Sequence, residues 1–249
     1  MPSILIFIFA GMNLVIDIGN TNEKAAIFDK QKIVHVFAEK KISAGATDEW
    51  LQQFNPDACI IASVAQERKD LYGQLKEAMF CILLDAKTKI PIKNHYLTPA
   101  TLGNDRLANA VAANYLFPQK NVLVIDAGTC LKIDFLTKGE YHGGSISPGL
   151  QMRYEALHHY TERLPLLKPV DSAALTGQDT SESIHSGVIN GIRAELNGII
   201  DQYKKINNDL QLILCGGDAR FFSNHFKYNI FAAPYLTLQG LNEILIFNQ

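Results

Sequence analysis

The chain alternates between short apolar runs and longer stretches in which apolar residues recur every three or four positions. Leu14, Val15 and Ile16 run into Asp17, after which the sequence loses bulk through Ile18, Gly19, Asn20, Thr21 and Asn22. Ala58–Ala65 (ACIIASVA) is a second apolar run, and Leu210–Gly217 (LQLILCGG) is a third that meets a glycine pair. Short apolar runs bounded by turn residues predict buried strands. Helical spacing predicts helices over Glu67–Phe80 (with Gly73 as a weak point), Asn104–Leu116, Gly149–Tyr160 and Thr180–Ile206, and another is expected after Gly217. In the longest, Ile184, Val188, Ile192, Leu196, Ile199 and Tyr203 share one face, and Asp179 with Glu182 forms a capping box at its start. Strands alternating with helices place the chain in the α/β class.

One pattern occurs twice. LVIDIGNTNEK (residues 14–24) and LVIDAGTCLK (residues 123–132) align with one residue skipped after the glycine. Asp17 then meets Asp126, Gly19 meets Gly128, Thr21 meets Thr129 and Lys24 meets Lys132. After Gly128 the residues Leu131, Lys132, Ile133, Asp134 and Phe135 alternate apolar and polar, the period of a half-buried strand. A Rossmann or P-loop unit would turn into a helix here, and no GxxxxGK[ST] occurs in the chain. The expectation is two β-hairpins whose turns expose N–H groups and hydroxyls to an anion. They open two similar halves that divide near Pro118–Asn121.

Composition narrows the classes. The 249 residues are 47% hydrophobic, which allows one large domain or two ordinary ones. A net charge of −2 with no basic stripe gives no reason to expect nucleic acid. The four cysteines, Cys59, Cys81, Cys130 and Cys215, form no CxxC pair, which argues against zinc and a disulfide framework and for a reducing cytoplasm. Ile4–Met12 is apolar but falls short of the roughly 20 residues that span a bilayer, and it lacks the charged start of a secretory signal. Residues 1–11 are read as an extension or start-site artefact ahead of Met12.

Several constellations carry chemistry. Asp17 and Asp126, at the ends of matching strands, are either turn residues or carboxylates that face phosphate through a cation. In LGNDRLANAVAAN (residues 102–114), Asn104 or Asp105 could cap a helix. Alternatively, Asp105 accepts a hydroxyl proton while Arg106 forks onto a carboxylate. Gly143, Gly144, Pro148 and Gly149 lead into a helix start that is either a tight loop or an anion site. Gly216 and Gly217 could let a nucleoside lie against the backbone. His158 and His159 have no third ligand at useful spacing and are read as helix surface.

Taken in order, NLVIDIGNTNEK (13–24), GNDR (103–106), DAGT (126–129), GGSISPG (143–149), TERLP (161–165) and TGQDT (176–180) resemble type III pantothenate kinase. The likeness runs from Met12 to Asn248. Cys130 and Glu162 stand where small residues are common in the family. The resemblance implies two related actin/hexokinase-like (ribonuclease H-like) domains with mixed sheets, residues 12–118 and 119–249, and a nucleotide cleft between them. It implies transfer of the γ-phosphate of ATP to pantothenate, the first step towards coenzyme A. Carried over, Asp17, Ile18, Gly19, Asn20, Thr21, Asn22, Glu23 and Lys24 form the ATP phosphate loop, with Asp17 near Mg²⁺ and Thr129 touching ATP. Asp105 is the proton acceptor. Tyr96, Gly103, Asn104, Asp105, Arg106 and Thr180 line the pantothenate site. Asp126 binds a monovalent cation, K⁺ or NH₄⁺. A cytoplasmic homodimer is expected, with Thr180–Ile206 one candidate for the contact and no nucleic acid or membrane partner. The competing readings are a sugar or carboxylate kinase of the same superfold and a non-catalytic regulatory protein of the same fold.

Overall fold

The computed structural model describes residues 11–64, 68–223 and 226–249. In chain order the elements are β1 (Met12–Ile18), β2 (Glu23–Asp29), β3 (Lys32–Glu39), α1 (Ala44–Phe54), β4 (Ala58–Ser63), α2 (Lys69–Ala78), β5 (Phe80–Leu83) and β6 (Lys93–Asn94). They continue as α3 (Asn104–Leu116), β7 (Asn121–Ala127), β8 (Cys130–Thr137), β9 (Glu140–Pro148), α4 (Leu150–His159), α5 (Thr180–Ile206), β10 (Gln211–Cys215), α6 (Ala219–Phe222), β11 (Phe231–Ala232) and α7 (Leu236–Asn248).

The chain forms two compact units. One holds the described residues up to Pro91 with Leu102–Ala108 and Thr237–Gln249; the other holds Ile92–Thr101 and Asn109–Leu236. These units cut the chain differently from the chain-order halves 12–118 and 119–249. Side-chain pairing accounts for the return of α7 to the first unit. Asn242, buried among apolar residues of α7, accepts from the Asn13 amide at 2.9 Å and donates to the Lys30 carbonyl at 2.8 Å. Leu241, Ile244 and Leu245 beside it are fully buried. Each such side chain contributes about 1.5–3 kcal/mol relative to exposure.

The first sheet runs β3-β2-β1-β4-β5 and the second β11-β10-β7-β8-β9-β6. Read from the antiparallel edge, β3-β2-β1-β4-β5 and β9-β8-β7-β10-β11 share one order, with β6 added beyond β9. In both, the central strand pairs antiparallel with the strand that follows it and parallel with a later one. The internal echo in the sequence is therefore a repeated sheet topology, and the mixed sheets with helices are the α/β class expected. Leu14, Val15 and Ile16 of β1 and Leu123 and Ile125 of β7 are fully buried, which is why their stretches are apolar without alternation.

Helix ends follow their caps. The Asp179 carboxylate accepts from the Glu182 N–H at 2.8 Å, and Glu182 reaches back to the Gln178 N–H at 2.8 Å. Ile184, Val188, Ile192, Leu196 and Ile200 pack onto Leu123, Ile125 and Leu131. Helices α3 and α5 have the expected bounds, and Gly149 and Tyr160 prove to be the caps of α4. The helix expected over Glu67–Phe80 ends at Ala78, because Met79 is extended and Phe80 opens β5. Glu67, Ala65 and residues 1–10 of the N-terminal extension lie outside the described residues.

Candidate active site

In the first unit, Asp17 sits near the carboxyl end of β1, directly opposite Lys24 of β2. Four residues, Gly19–Asn22, close the turn, and Asn20, Thr21 and Asn22 are exposed. Three consecutive small polar residues on an exposed turn are residue types that suit an anion. Glu23 has a different setting. It is 6% exposed, and its carboxylate accepts from Arg68 at 2.9 and 3.0 Å and from the Ile42 N–H at 2.6 Å. Arg68 also binds the Ile42 carbonyl and Asp70. Hydrogen bonds to Asp70 first, and to Glu23, hold the guanidinium above its usual pKa, and Arg68 draws the Asp70 carboxyl down to about 2. Glu23 thus braces the turn from behind.

The GNDR stretch stands at the same rim. Strands β1 and β4 run parallel, with Ile18 beside Ser63, and the Ile18 carbonyl accepts from the Val64 N–H at 3.1 Å. The Asn104 amide donates to the Ser63 carbonyl at 3.1 Å and to the Leu84 carbonyl at 3.2 Å. Asn104 therefore ties the start of α3 to the carboxyl ends of the strands instead of capping the helix with its side chain. This brings Asp105, half-buried in the first helical turn, to the rim that carries the Asp17 turn. Arg106 beside it is buried.

In the second unit, Asp126 lies opposite Lys132, the register that Asp17 and Lys24 adopt in the first. The Lys132 ammonium is 2.7 Å from Asp126 Oδ2, and both side chains are nearly covered. Two other turns bond to the backbone on either side of Gly128, while Thr129 itself is exposed. The Gly149 N–H donates to the Thr129 carbonyl at 3.2 Å, and the Asp218 N–H donates to the Ala127 carbonyl at 2.8 Å. Gly216 has φ +94°, and a Cβ there would lie 2.3 Å from the Ala127 carbonyl oxygen and 2.5 Å from Asp126 Oδ1. Only glycine fits both that backbone and that approach. Burial pushes the Asp218 carboxyl upward.

Tyr96 follows β6. Its ring lies over Gly143, where an added Cβ would be 3.0 Å from it, and 6.2 Å from the ring of Tyr141. The buried Tyr141 hydroxyl donates to Asp134 at 2.7 Å. Thr180 is exposed and begins α5 after the Asp179 cap. His158 places Nδ1 2.8 Å from the Leu164 carbonyl, and His159 packs edge-on against Tyr160.

The geometry gathers Asp17, Gly19–Asn22 and Gly103–Arg106 in one unit, and Asp126, Thr129, Gly149 and Gly216 in the other. A family model described as type III pantothenate kinase matches residues 13–202. The chain belongs to the type III pantothenate kinase family. A type III pantothenate kinase of Phocaeicola vulgatus is 44% identical over 239 residues, covering 95% of this chain and 99% of that one. A solved Campylobacter jejuni chain, provisionally described as a Baf family transcriptional activator, is 25% identical with a TM-score of 0.59, covering 94% and 98%. An inorganic polyphosphate/ATP-glucomannokinase from Arthrobacter sp. strain KM is 13% identical with a TM-score of 0.50, covering 96% and 100%. At that identity the last likeness bears on fold alone, and the fold is the actin/hexokinase-like one expected.

Sequence reasoning about this pantothenate kinase family member missed three groups. The Glu23–Arg68 brace joins residues far apart in the chain. Asp134 was seen only as a strand position. Lys132 was aligned with Lys24 but given no partner, although the alternation from Leu131 to Phe135 already set it on the Asp126 face.

Proposed function

We propose that this chain transfers the γ-phosphate of ATP to the primary hydroxyl of pantothenate, giving 4'-phosphopantothenate. The observation that carries this reading is Asp105 held by Asn104 at the strand rim that bears the Asp17 turn. Phosphoryl transfer needs positioning and charge neutralisation more than covalent chemistry. The N–H groups and hydroxyls of residues 18–24 would take the phosphate oxygens, with Glu23 keeping the turn in shape from its Arg68 brace. Asp105 would orient the acceptor hydroxyl and receive its proton, which leaves the alkoxide oxygen to bond phosphorus as ADP departs. Arg106, Gly103, Asn104, Tyr96 and Thr180 would bind pantothenate, and Thr129 would contact ATP.

A single partly exposed carboxylate such as Asp17 suits Mg²⁺, which takes one or two carboxylates together with substrate phosphates and water. That ion would neutralise charge on the phosphates. The monovalent cation implied at Asp126 fits less well, because Lys132 already pairs with that carboxylate. No helix among the described residues is long and apolar enough to cross a membrane. A homodimer in the cytoplasm completes the proposal.

The test is ADP release from ATP and Mg²⁺ with pantothenate, several sugars and acetate as acceptors. Release with pantothenate alone is the expected result. Release with a sugar or acetate instead would make this a different kinase of the same fold. Folded protein that releases no ADP with any of these acceptors would point to the regulatory reading.

A further inference from the structure

Asp126 is 8% exposed, at the end of a strand where a bare carboxylate is costly. Its two oxygens are differently engaged. Oδ2 meets the Lys132 ammonium at 2.7 Å, with side-chain exposures of 16% for Lys132 and 11% for Asp126. Oδ1 is hemmed in by the backbone of Gly216, and a Cβ at Gly128 would lie 3.6 Å from it. The pairing is built into the hairpin. Asp126 and Lys132 are directly opposed in antiparallel register, so their side chains leave the same face of the sheet. Lysine ends in an alkylated ammonium with three donors, the same charge and donor chemistry as NH₄⁺. Removing one partner of such a covered pair leaves an uncompensated buried charge, which is strongly destabilising.

We infer that the Lys132 ammonium is a tethered replacement for the free monovalent cation at Asp126, which makes turnover independent of K⁺ and NH₄⁺. The inference rests on the pantothenate kinase reading. It concerns only the charge on Asp126, and Mg²⁺ is untouched by it.

The experiment uses the full chain and has two readouts. Initial rates of ADP release with pantothenate are compared in KCl, NaCl and N-methylglucamine chloride at one ionic strength. The melting temperature is followed in the same salts. Expected are equal rates and equal melting temperatures across the three. A rate that climbs with KCl, or a melting temperature raised specifically by KCl, overturns the inference while leaving the kinase reading intact. Absence of pantothenate-dependent ADP release in every salt sinks the kinase reading, and the melting data still decide whether K⁺ binds. The Lys132→Met variant sharpens the result. It should melt lower than the parent and regain stability and rate with KCl but not with N-methylglucamine. A variant indifferent to KCl in both readouts would also count against the tethered cation.

Discussion

The two hairpins share a register and differ in almost everything attached to it. In both, an aspartate faces a lysine across the central antiparallel pair. The first turn has one residue more, and its Asn20, Thr21 and Asn22 are exposed. The second is flanked by the Gly149 and Gly216 turns, and its Thr129 is exposed too. One position further in, Glu23 faces Ile18, while its counterpart Leu131 faces Ala127. Glu23 is wired outward to Arg68, whereas Leu131 joins the apolar cluster beneath α5. One backbone device has thus become a turn braced by Arg68 in one unit and a turn whose aspartate pairs with Lys132 in the other.

The largest expected effect tests whether the chemistry lies beside the first turn. Asp105→Asn should lower kcat by about 10²–10⁴-fold, the usual contribution of a positioned general base. The KM for ATP should stay near that of the parent. Steady-state kinetics decide it, and near-normal kcat would remove Asp105 from the proton-accepting role. Next comes the external brace. Glu23→Leu copies the second hairpin's residue into the first and leaves Arg68 without its covered partner. The expected loss is about 3–5 kcal/mol, measured by urea unfolding. A neutral result would show that hydrophobic packing can serve equally at that position.

How much of this was legible depended on whether the partners are local. The strand–turn–strand echo was readable because Asp17 with Lys24, and Asp126 with Lys132, are fixed by the period-two geometry of a hairpin. The bounds of α5 were readable because Asp179 and Glu182 mark its start and the apolar stripe marks its face. The end of α2 was not, since a four-residue strand after Met79 leaves no period to detect. Nor was the return of α7 to the first unit. Its Asn242 pairs with Asn13 across 229 positions, and no local pattern encodes such a bond. For the proposed site, the sequence names residue types but does not show the Asn104 bonds to Ser63 and Leu84 that fix the start of α3.

A smaller effect probes the second turn. Gly216→Ala would place a side chain at φ +94° and a Cβ 2.3 Å from the Ala127 carbonyl. Strain of this kind costs about 1–3 kcal/mol. The urea midpoint should fall, and Gly73→Ala is the control. Gly73 lies inside α2 with nothing within 4 Å of an added Cβ, so alanine there should stabilise by about 0.4–1 kcal/mol. Equal responses at the two sites would mean that the Gly216 approach to Ala127 is looser than its contacts imply.

The smallest effect concerns the outer end of the brace in the first unit. Arg68 draws the Asp70 carboxyl from 3.8 to about 2 on folding. A carboxyl depressed in the folded state stabilises fully above its unfolded value and loses that contribution as pH falls through the folded one. The Asp70 side chain is 69% exposed, so solvent screening reduces its worth to about 0.2–1 kcal/mol. Asp70→Asn should therefore trail the parent by that small margin at neutral pH, with the gap constant down to about pH 4. It should narrow towards zero as pH approaches 2 and shrink in high salt at any pH. Paired urea titrations across that range measure it. A gap unchanged at the acid end would mean that Asp70 acts through packing or helix propensity, and would leave Glu23 as the partner that matters to Arg68.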